Sequence, residues 1–295
     1  MINFNKYGKF LEDEPLNKHT TFKIGGRAKG VLIPDDEQSL IGAIGDAKEQ
    51  NIEYFIMGNG SNVLVDDAGY DGLVIILKST LNRVEIRGAE VSAGAGISLR
   101  ELANIALDNS LSGLEFAHGI PGSLGGGVIM NAGAYDGELK DVVKSVRILD
   151  ENLDIRELTN EEMKFAYRNS VAQEKGYVVL SATFSLRRDK SKEEIREKME
   201  DFWQRRSSKQ PLEYPSAGST FRRPKGYFAG KLIDDSGLRG ARHGGAMVSE
   251  KHCGFVINSD NATSKDVKEL IEMIQKIVYD KYKVNLVCEV KFIGG

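Results

Sequence analysis

"GIPGSLGGGVIMNAGAYDGE", residues 119–138, is the stretch on which the fold turns. Seven glycines fall within positions 119 to 137, Pro121 fixes one turn, and Ser123 offers a hydroxyl. Glycine costs backbone entropy, so such a cluster needs a steric or functional reason. A solvent loop would carry more charge and fewer apolar residues than Leu124, Val128, Ile129 and Met130. The stretch reads as bare main chain buried against something flat and large. A flavin ring with its diphosphate tail would satisfy both the glycines and the apolar residues. A tight corner between two subdomains is the plainer alternative.

A second glycine loop, "GNGSNVLV" at 58–65, resembles a dinucleotide fingerprint but is not one. Val63 stands where the third glycine belongs, and a strand follows instead of a helix. The segment reads as strand–turn–strand with Asn59-Gly60 as the turn. Either it is a plain hairpin, or the successive N–H groups of Gly58 to Asn62, helped by Ser61 and Asn62, form a nest for a pyrophosphate.

Outward from these loops, "RAKGVLIP", "EYFIMG", "NVLV" and "GLVIILK" read as strands, with a helix between the first two whose face is Leu40, Ile44 and Ala47. "RVEIRGAEVSAGAG" continues as a strand or hairpin. A helix follows, with Ser98 and Glu101 as a capping box and Gly113 near its end. "VVKSVRILD" and "YVVLSATFSLRR" are strands. A helix capped by Ser191 and Glu194 presents Ile195, Met199, Phe202 and Trp203, and Pro211 stops it. Loops rich in Gly, Arg and Ser lead to "GFVIN". A final helix from Ser264 buries Val267, Leu270, Ile271, Ile274 and Val278, before the strand "VNLVCEVKFIG".

The 295 residues allow two domains, with a boundary expected near 205–210, where a long helix gives way to loops. A net charge of −3 with no basic block argues against a nucleic-acid partner. No apolar run is long enough to span a membrane, and the charged start is no secretory signal. Cys253 and Cys288 lack metal-site spacing and read as small buried residues in a reducing cytosol. His19, His118, His243 and His252 show no ligand spacing, so no metal is expected.

With both loops in view, the chain resembles the UDP-N-acetylenolpyruvoylglucosamine reductase family. The resemblance rests on "HTTFKIGG", "GNGSNVLVDD", "GLEFAHGIPGSLGGGVIMNAGAY", "FAYRNS", "PSAGSTFRRP", "KLIDDSGLRG" and "CEVKFIG", in the family's order. It implies an α+β fold with a two-subdomain FAD-binding region of the vanillyl-alcohol-oxidase (PCMH-like) kind. Residues 1–80 would form the first subdomain and 81–207 the second, joined by the C-terminal strand 285–295. Residues 208–284 would form a substrate domain. FAD would be held by Gly58, Asn59, Gly60, Ser61, Asn62, Gly119, Ile120, Pro121, Gly122, Ser123, Gly125, Gly126, Asn131 and Gly133.

The resemblance also implies NADPH as reductant and UDP-N-acetylglucosamine enolpyruvate as substrate, in a cytoplasmic monomer. Another flavin oxidoreductase or oxidase on the same fold is the alternative. The family's catalytic residues fall on Arg168, Ser219 and Glu289, and its substrate contacts on Lys209, Arg222 and His252. Gly127 stands where relatives often carry alanine, Asp136 where they carry glycine, and Arg222-Arg223 where many have lysine and asparagine. The tyrosine-bearing lid of one subgroup is absent between "YRNS" and "YVVLSATF", which points to the shorter, second subgroup.

These residue types suit that chemistry. Hydride delivery to an enolpyruvyl ether develops negative charge on its carboxylate, and the planar fork of Arg168 can grip and stabilise it. Ser219 sits outside any nucleophile elbow and suits a proton donor to a carbanion-like carbon. The period-2 pattern around Glu289 leaves both an exposed and an inward side chain open, and the family favours the inward one.

Overall fold

Where apolar periodicity is strong, the elements form as the sequence dictates. The computed structural model describes residues 4–78, 80–135 and 137–295, so Asp136 lies outside the described residues. The fold is α+β. The chain divides into two compact units: Met1–Leu11, Val31–Asn59 and Leu73–Arg206 in one, and Glu12–Gly30, Gly60–Gly72 and Ser207–Gly295 in the other.

In chain order the first elements are β1 (Gly8–Pro15), β2 (Arg27–Pro34), α1 (Glu37–Glu49), β3 (Tyr54–Met57), β4 (Val63–Val65) and β5 (Tyr70–Ile76). Asp36 caps α1 by accepting the Ser39 N–H at 2.8 Å. One sheet has the order β1-β2-β5-β3, with Tyr54–Met57 parallel to Leu73–Ile76. Leu40, Ala43, Ile44 and Ala47 of α1 are buried in one core with Leu32, Leu73 and Ile75.

The same core continues under a second, five-stranded sheet. It is built from β6 (Val84–Arg87), β7 (Glu90–Gly94), β8 (Val143–Leu149), β9 (Ile155–Thr159) and β10 (Val178–Ser185), in the order β9-β8-β10-β7-β6 and antiparallel throughout. Between β7 and β8 lie α2 (Leu99–Asp108), capped by Ser98, and the short α3 (Leu124–Ile129), capped by Ser123. After β10 comes α4 (Lys192–Lys209), its start closed by a reciprocal pair: Glu194 N–H to Ser191 Oγ at 3.2 Å and Ser191 N–H to Glu194 Oε2 at 2.7 Å.

The second unit holds a three-stranded sheet of Arg242–His243, Ala246–Val248 and Val256–Asn258. It also holds the helices α5 (Ala229–Asp235) and α6 (Ser264–Tyr282). Val267, Leu270, Ile271, Ile274 and Val278 are buried as expected, each worth roughly 1.5–3 kcal/mol over an exposed position. Thr263 and Asp266 close the start of α6 as a capping box, and the carboxylate of Asp67 accepts the N–H groups of Ser264 at 2.8 Å and Lys265 at 3.1 Å. No helix among the described residues is long and apolar enough to cross a membrane.

Several readings change. The strands β1 and β9 carry too many charges to show in the pattern, and form because the sheet supplies their partners. The plain hairpin at 54–65 does not form: β3 pairs with β5, whereas β4 pairs in parallel with Lys291–Ile293. The glycine-rich stretch is not all loop, since α3 lies inside it. The C-terminal strand is confined to Lys291–Ile293, preceded by a single bridge of Cys288 to Phe221, and it lies in the second unit. Trp203 is half-buried, while Ile195, Met199 and Phe202 face the core as expected.

Candidate functional site

The 58–62 loop is shaped by close approach. Gly60 has φ +61°, and a β-carbon there would stand 2.2 Å from the carbonyl oxygen of His19. Only glycine fits. Among the described residues, none accepts a hydrogen bond from the main-chain N–H of Gly58, Asn59, Gly60, Ser61 or Asn62. Such a run of unspent donors is what an anion-binding nest offers. The Ser61 side chain adds an uncommitted hydroxyl. The two carboxamides are committed: Asn59 donates to the Pro121 carbonyl at 2.9 Å, and Asn62 donates to the Glu289 carbonyl at 3.2 Å. Each therefore braces the site rather than presenting its amide to a ligand.

Asn59 thus ties one glycine loop to the other. A second tie is steric: a β-carbon on Gly58 would lie 1.9 Å from Ser123 Oγ. In the longer loop, Gly122 accepts the Leu99 N–H at 3.0 Å, while Leu124 and Gly125 donate to Ile97 and Ala95, both at 2.8 Å. Leu124 and Val128 point into the protein core, so they anchor the loop and do not back a ring. What remains outward is nearly bare main chain: Pro121 and Gly126 are exposed, and Gly119, Ile120 and Gly122 half-buried. Within the first unit, the unspent amides of Gly58 and Asn59 beside this uncluttered backbone surface fit a flavin dinucleotide.

Asn131 is fully buried, and its carboxamide is spent within the protein. It donates to Glu138 Oε2 at 2.9 Å and to the Ala166 carbonyl at 3.2 Å, and accepts the Lys140 N–H at 3.0 Å. It positions the loop and does not face a cofactor through its side chain. Ala166 and Asn169 exchange main-chain hydrogen bonds across a tight turn that carries Tyr167 and Arg168. Buried Ser170 donates to the Ile129 carbonyl at 2.8 Å, and Arg168 Nη2 reaches the Gly133 carbonyl at 3.4 Å. The Arg168 turn is therefore fastened to the glycine loop at three points. Arg168 itself sits at φ +54°, a strained conformation for a side-chain-bearing residue.

In the second unit, Ser219 is exposed, and its hydroxyl bonds to no described residue. Its neighbour Thr220 is buried and fully engaged. Thr220 donates its N–H to the Gly254 carbonyl at 2.8 Å and takes the Val256 N–H on Oγ1 at 2.9 Å. Its own carbonyl accepts the Glu289 N–H at 2.8 Å. Sequence reasoning missed Thr220, whose one signal was a β-branched residue next to a displayed serine. Glu289 is half-buried, between the two orientations the alternation allowed. Arg222 donates its N–H to the Val287 carbonyl at 2.9 Å, and its buried Nε has no hydrogen-bond partner among the described residues.

Arg223 instead lies over the Phe228 ring, 4.0 Å from guanidinium carbon to centroid. His252 accepts the Gly254 N–H on Nδ1 at 3.0 Å, which leaves Nε2 as its donor. Burial, aided by the Arg239 charge, holds its pKa below the usual 6.5. Ser219, Arg222, Glu289 and the His252 loop thus meet on bonded neighbouring segments, whereas Lys209 ends α4 on an exposed position outside that network. Burial pushes the Cys253 thiol up to about 11 and raises Cys288 as well, so neither is a ready nucleophile. Among the described residues, no group of three or more His, Cys, Asp or Glu is placed to hold a metal ion.

Two family models match the chain: an FAD binding domain over residues 28–159, and the C-terminal domain of UDP-N-acetylenolpyruvoylglucosamine reductase over 210–293. The reductase of that name from Caldanaerobacter subterraneus subsp. tengcongensis is 53% identical over 98% of this chain and 95% of its own. The one from Clostridium perfringens is 51% identical over 96% and 92%. Among solved structures, UDP-N-acetylenolpyruvylglucosamine reductase from Thermus caldophilus superposes with a TM-score of 0.82 at 33% identity, covering 97% of this chain and 98% of that one.

Proposed function

The chain belongs to the UDP-N-acetylenolpyruvoylglucosamine reductase family, and on that premise we propose that it reduces UDP-N-acetylglucosamine enolpyruvate to UDP-N-acetylmuramate, with NADPH as electron donor. It is an FAD-dependent oxidoreductase. When bound, FAD supplies the hydride-transfer chemistry at N5. The chain's own residues orient, polarise and deliver the proton.

The observation that carries the reading is the contrast between Ser219 and Thr220. A hydroxyl with no partner among the described residues sits beside a backbone pinned from both sides at Thr220, so it is fixed in place yet free to give up its proton. Ser219 Oγ protonates the carbon beside the substrate carboxylate. Arg168 grips that carboxylate, where its fork stabilises charge that grows in the transition state. Glu289 acts as the electrostatic or relay partner in this step. Arg222, His252 and Lys209 contact the nucleotide-sugar portion. The N–H groups of 58–62 would hold the FAD pyrophosphate, while the outward main chain of 119–122 and Gly126 would line the flavin. The reaction takes place in the cytoplasm, on a monomer.

An anaerobic titration tests this. NADPH should bleach the flavin absorbance, and the enolpyruvyl substrate should restore it faster than air does. Restoration by air alone would make the protein an oxidase.

A further inference from the structure

Beside the Gly119 turn, cationic and aromatic side chains gather in a way the reduction step does not call for. Arg100 lies over the Trp203 ring, 4.5 Å from guanidinium carbon to centroid, and His118 meets the same indole edge-on at 6.2 Å. Arg100 Nε donates to the His118 carbonyl at 3.2 Å. Three residues along α4 from Trp203, Arg206 presses on the loop itself: a β-carbon on Gly119 would stand 3.0 Å from its Cδ. Among the described residues, neither Arg206 nor Arg100 forms an ion pair, and the buried Nδ1 of His118 has no hydrogen-bond partner.

The nearby acids are taken. Asp201 pairs with Arg205 at 2.8 Å, and buried Glu115 lies 3.9 Å from Lys190 and 4.0 Å from Lys198. Burial and the Arg100 charge both push the Arg206 pKa down, so the two guanidiniums oppose one another. A half-buried guanidinium facing a second cation, with no carboxylate to pair with, is unfavourable until an anion joins it.

We propose that Arg206 and Arg100 form a site for one phosphate group of a dinucleotide cofactor, beside the Gly119 turn. The proposal rests on the flavin-reductase reading above. Two guanidinium forks match the oxygens of a phosphate, and the indole holds one of them in place. The FAD diphosphate and the 2′-phosphate of NADPH share this chemistry.

The test uses the wild-type protein with Arg206→Gln, Arg100→Gln and Arg206→Lys. Apoprotein is titrated with FAD by fluorescence quenching at several salt concentrations, and holoenzyme is reduced anaerobically with NADPH and with NADH. If the site takes the FAD diphosphate, the glutamine variants bind FAD at least about tenfold more weakly, the loss expected for one charge-assisted hydrogen bond. If it takes the 2′-phosphate, FAD binding is unchanged, and NADPH reduction falls by about that factor while NADH reduction does not. Arg206→Lys, which keeps the charge but not the fork, recovers part of either loss. Arg100→Gln alters an exposed side chain, so its result stands even if Arg206→Gln fails to fold. Glutamine variants that bind FAD and discriminate NADPH from NADH as the wild type does overturn the proposal. Wild-type apoprotein that takes up no FAD overturns the flavin reading, and this site with it.

Discussion

Asn62 and Glu289 are joined through the main chain: the Asn62 carboxamide donates to the Glu289 carbonyl at 3.2 Å, while the Asn62 carbonyl accepts the N–H of Lys291 at 3.0 Å. One residue of the loop proposed to bind the FAD pyrophosphate thereby fixes the height of the proposed catalytic carboxylate. Asn62→Ala should slow flavin reoxidation by substrate about tenfold and leave bleaching by NADPH unchanged. Stopped-flow measurement of the two half-reactions checks this. Equal slowing of both would place Asn62 on the cofactor instead.

Ser219→Ala removes a hydroxyl that bonds to no described residue, so its melting temperature should match the wild type. NADPH should still bleach it, whereas substrate-driven reoxidation falls by roughly 10²–10⁴-fold, the range for a lost general acid. Unimpaired turnover would remove the proton-donor role.

At Arg168 the strain gives a prediction of unusual sign. Alanine keeps the penalty of φ +54°, whereas glycine escapes it. Arg168→Gly should therefore be more stable than Arg168→Ala by about 1 kcal/mol in urea unfolding, after the entropy that glycine adds to the unfolded chain. Both variants should lose the substrate half-reaction.

Gly58→Ala forces a β-carbon onto Ser123 Oγ, 1.9 Å away, and should separate the two glycine loops and release FAD. Adding Ser123→Gly clears the obstruction at the cost of the α3 cap. The double variant should retain more flavin on gel filtration than Gly58→Ala alone.

His252 and His118 are both held below the ordinary 6.5 by burial, with a neighbouring arginine adding to the effect. The unfolded chain thus takes up these protons first as pH falls. The stability they contribute is whole above about 6.5 and is lost as pH drops through that value towards their folded pKa. Hydrogen bonds hold Asp66 and Asp266 below the usual carboxylate range, so they titrate outside this window. Urea midpoints measured from pH 7.5 to 5.5 should fall, and should flatten in a double His→Gln variant.

What the sequence revealed depended on the kind of signal each residue carries. The face of α6 was legible because five apolar residues repeat at helical spacing. The strand β9 was not, because Ile155, Arg156 and Glu157 are all exposed and only Leu158 faces the core. The roles proposed for Ser219 and Arg168 come from family motifs alone, since an isolated serine or arginine has no periodicity to betray it. Asn131 shows the opposite failure: a polar residue in a glycine loop suggests a ligand, yet its buried amide spends every bond on the protein. Thr220 and Ser170 were invisible for the same reason, because their partners lie far along the chain.

The second unit is stitched from three separate stretches, Glu12–Gly30, Gly60–Gly72 and Ser207–Gly295. On the ribosome its first two pieces emerge long before the third exists, and β4 must wait for Lys291–Ile293, which is made long after it. Translation order alone therefore makes this half of the molecule the later to mature, and leaves β4 without its partner while the other unit can already close.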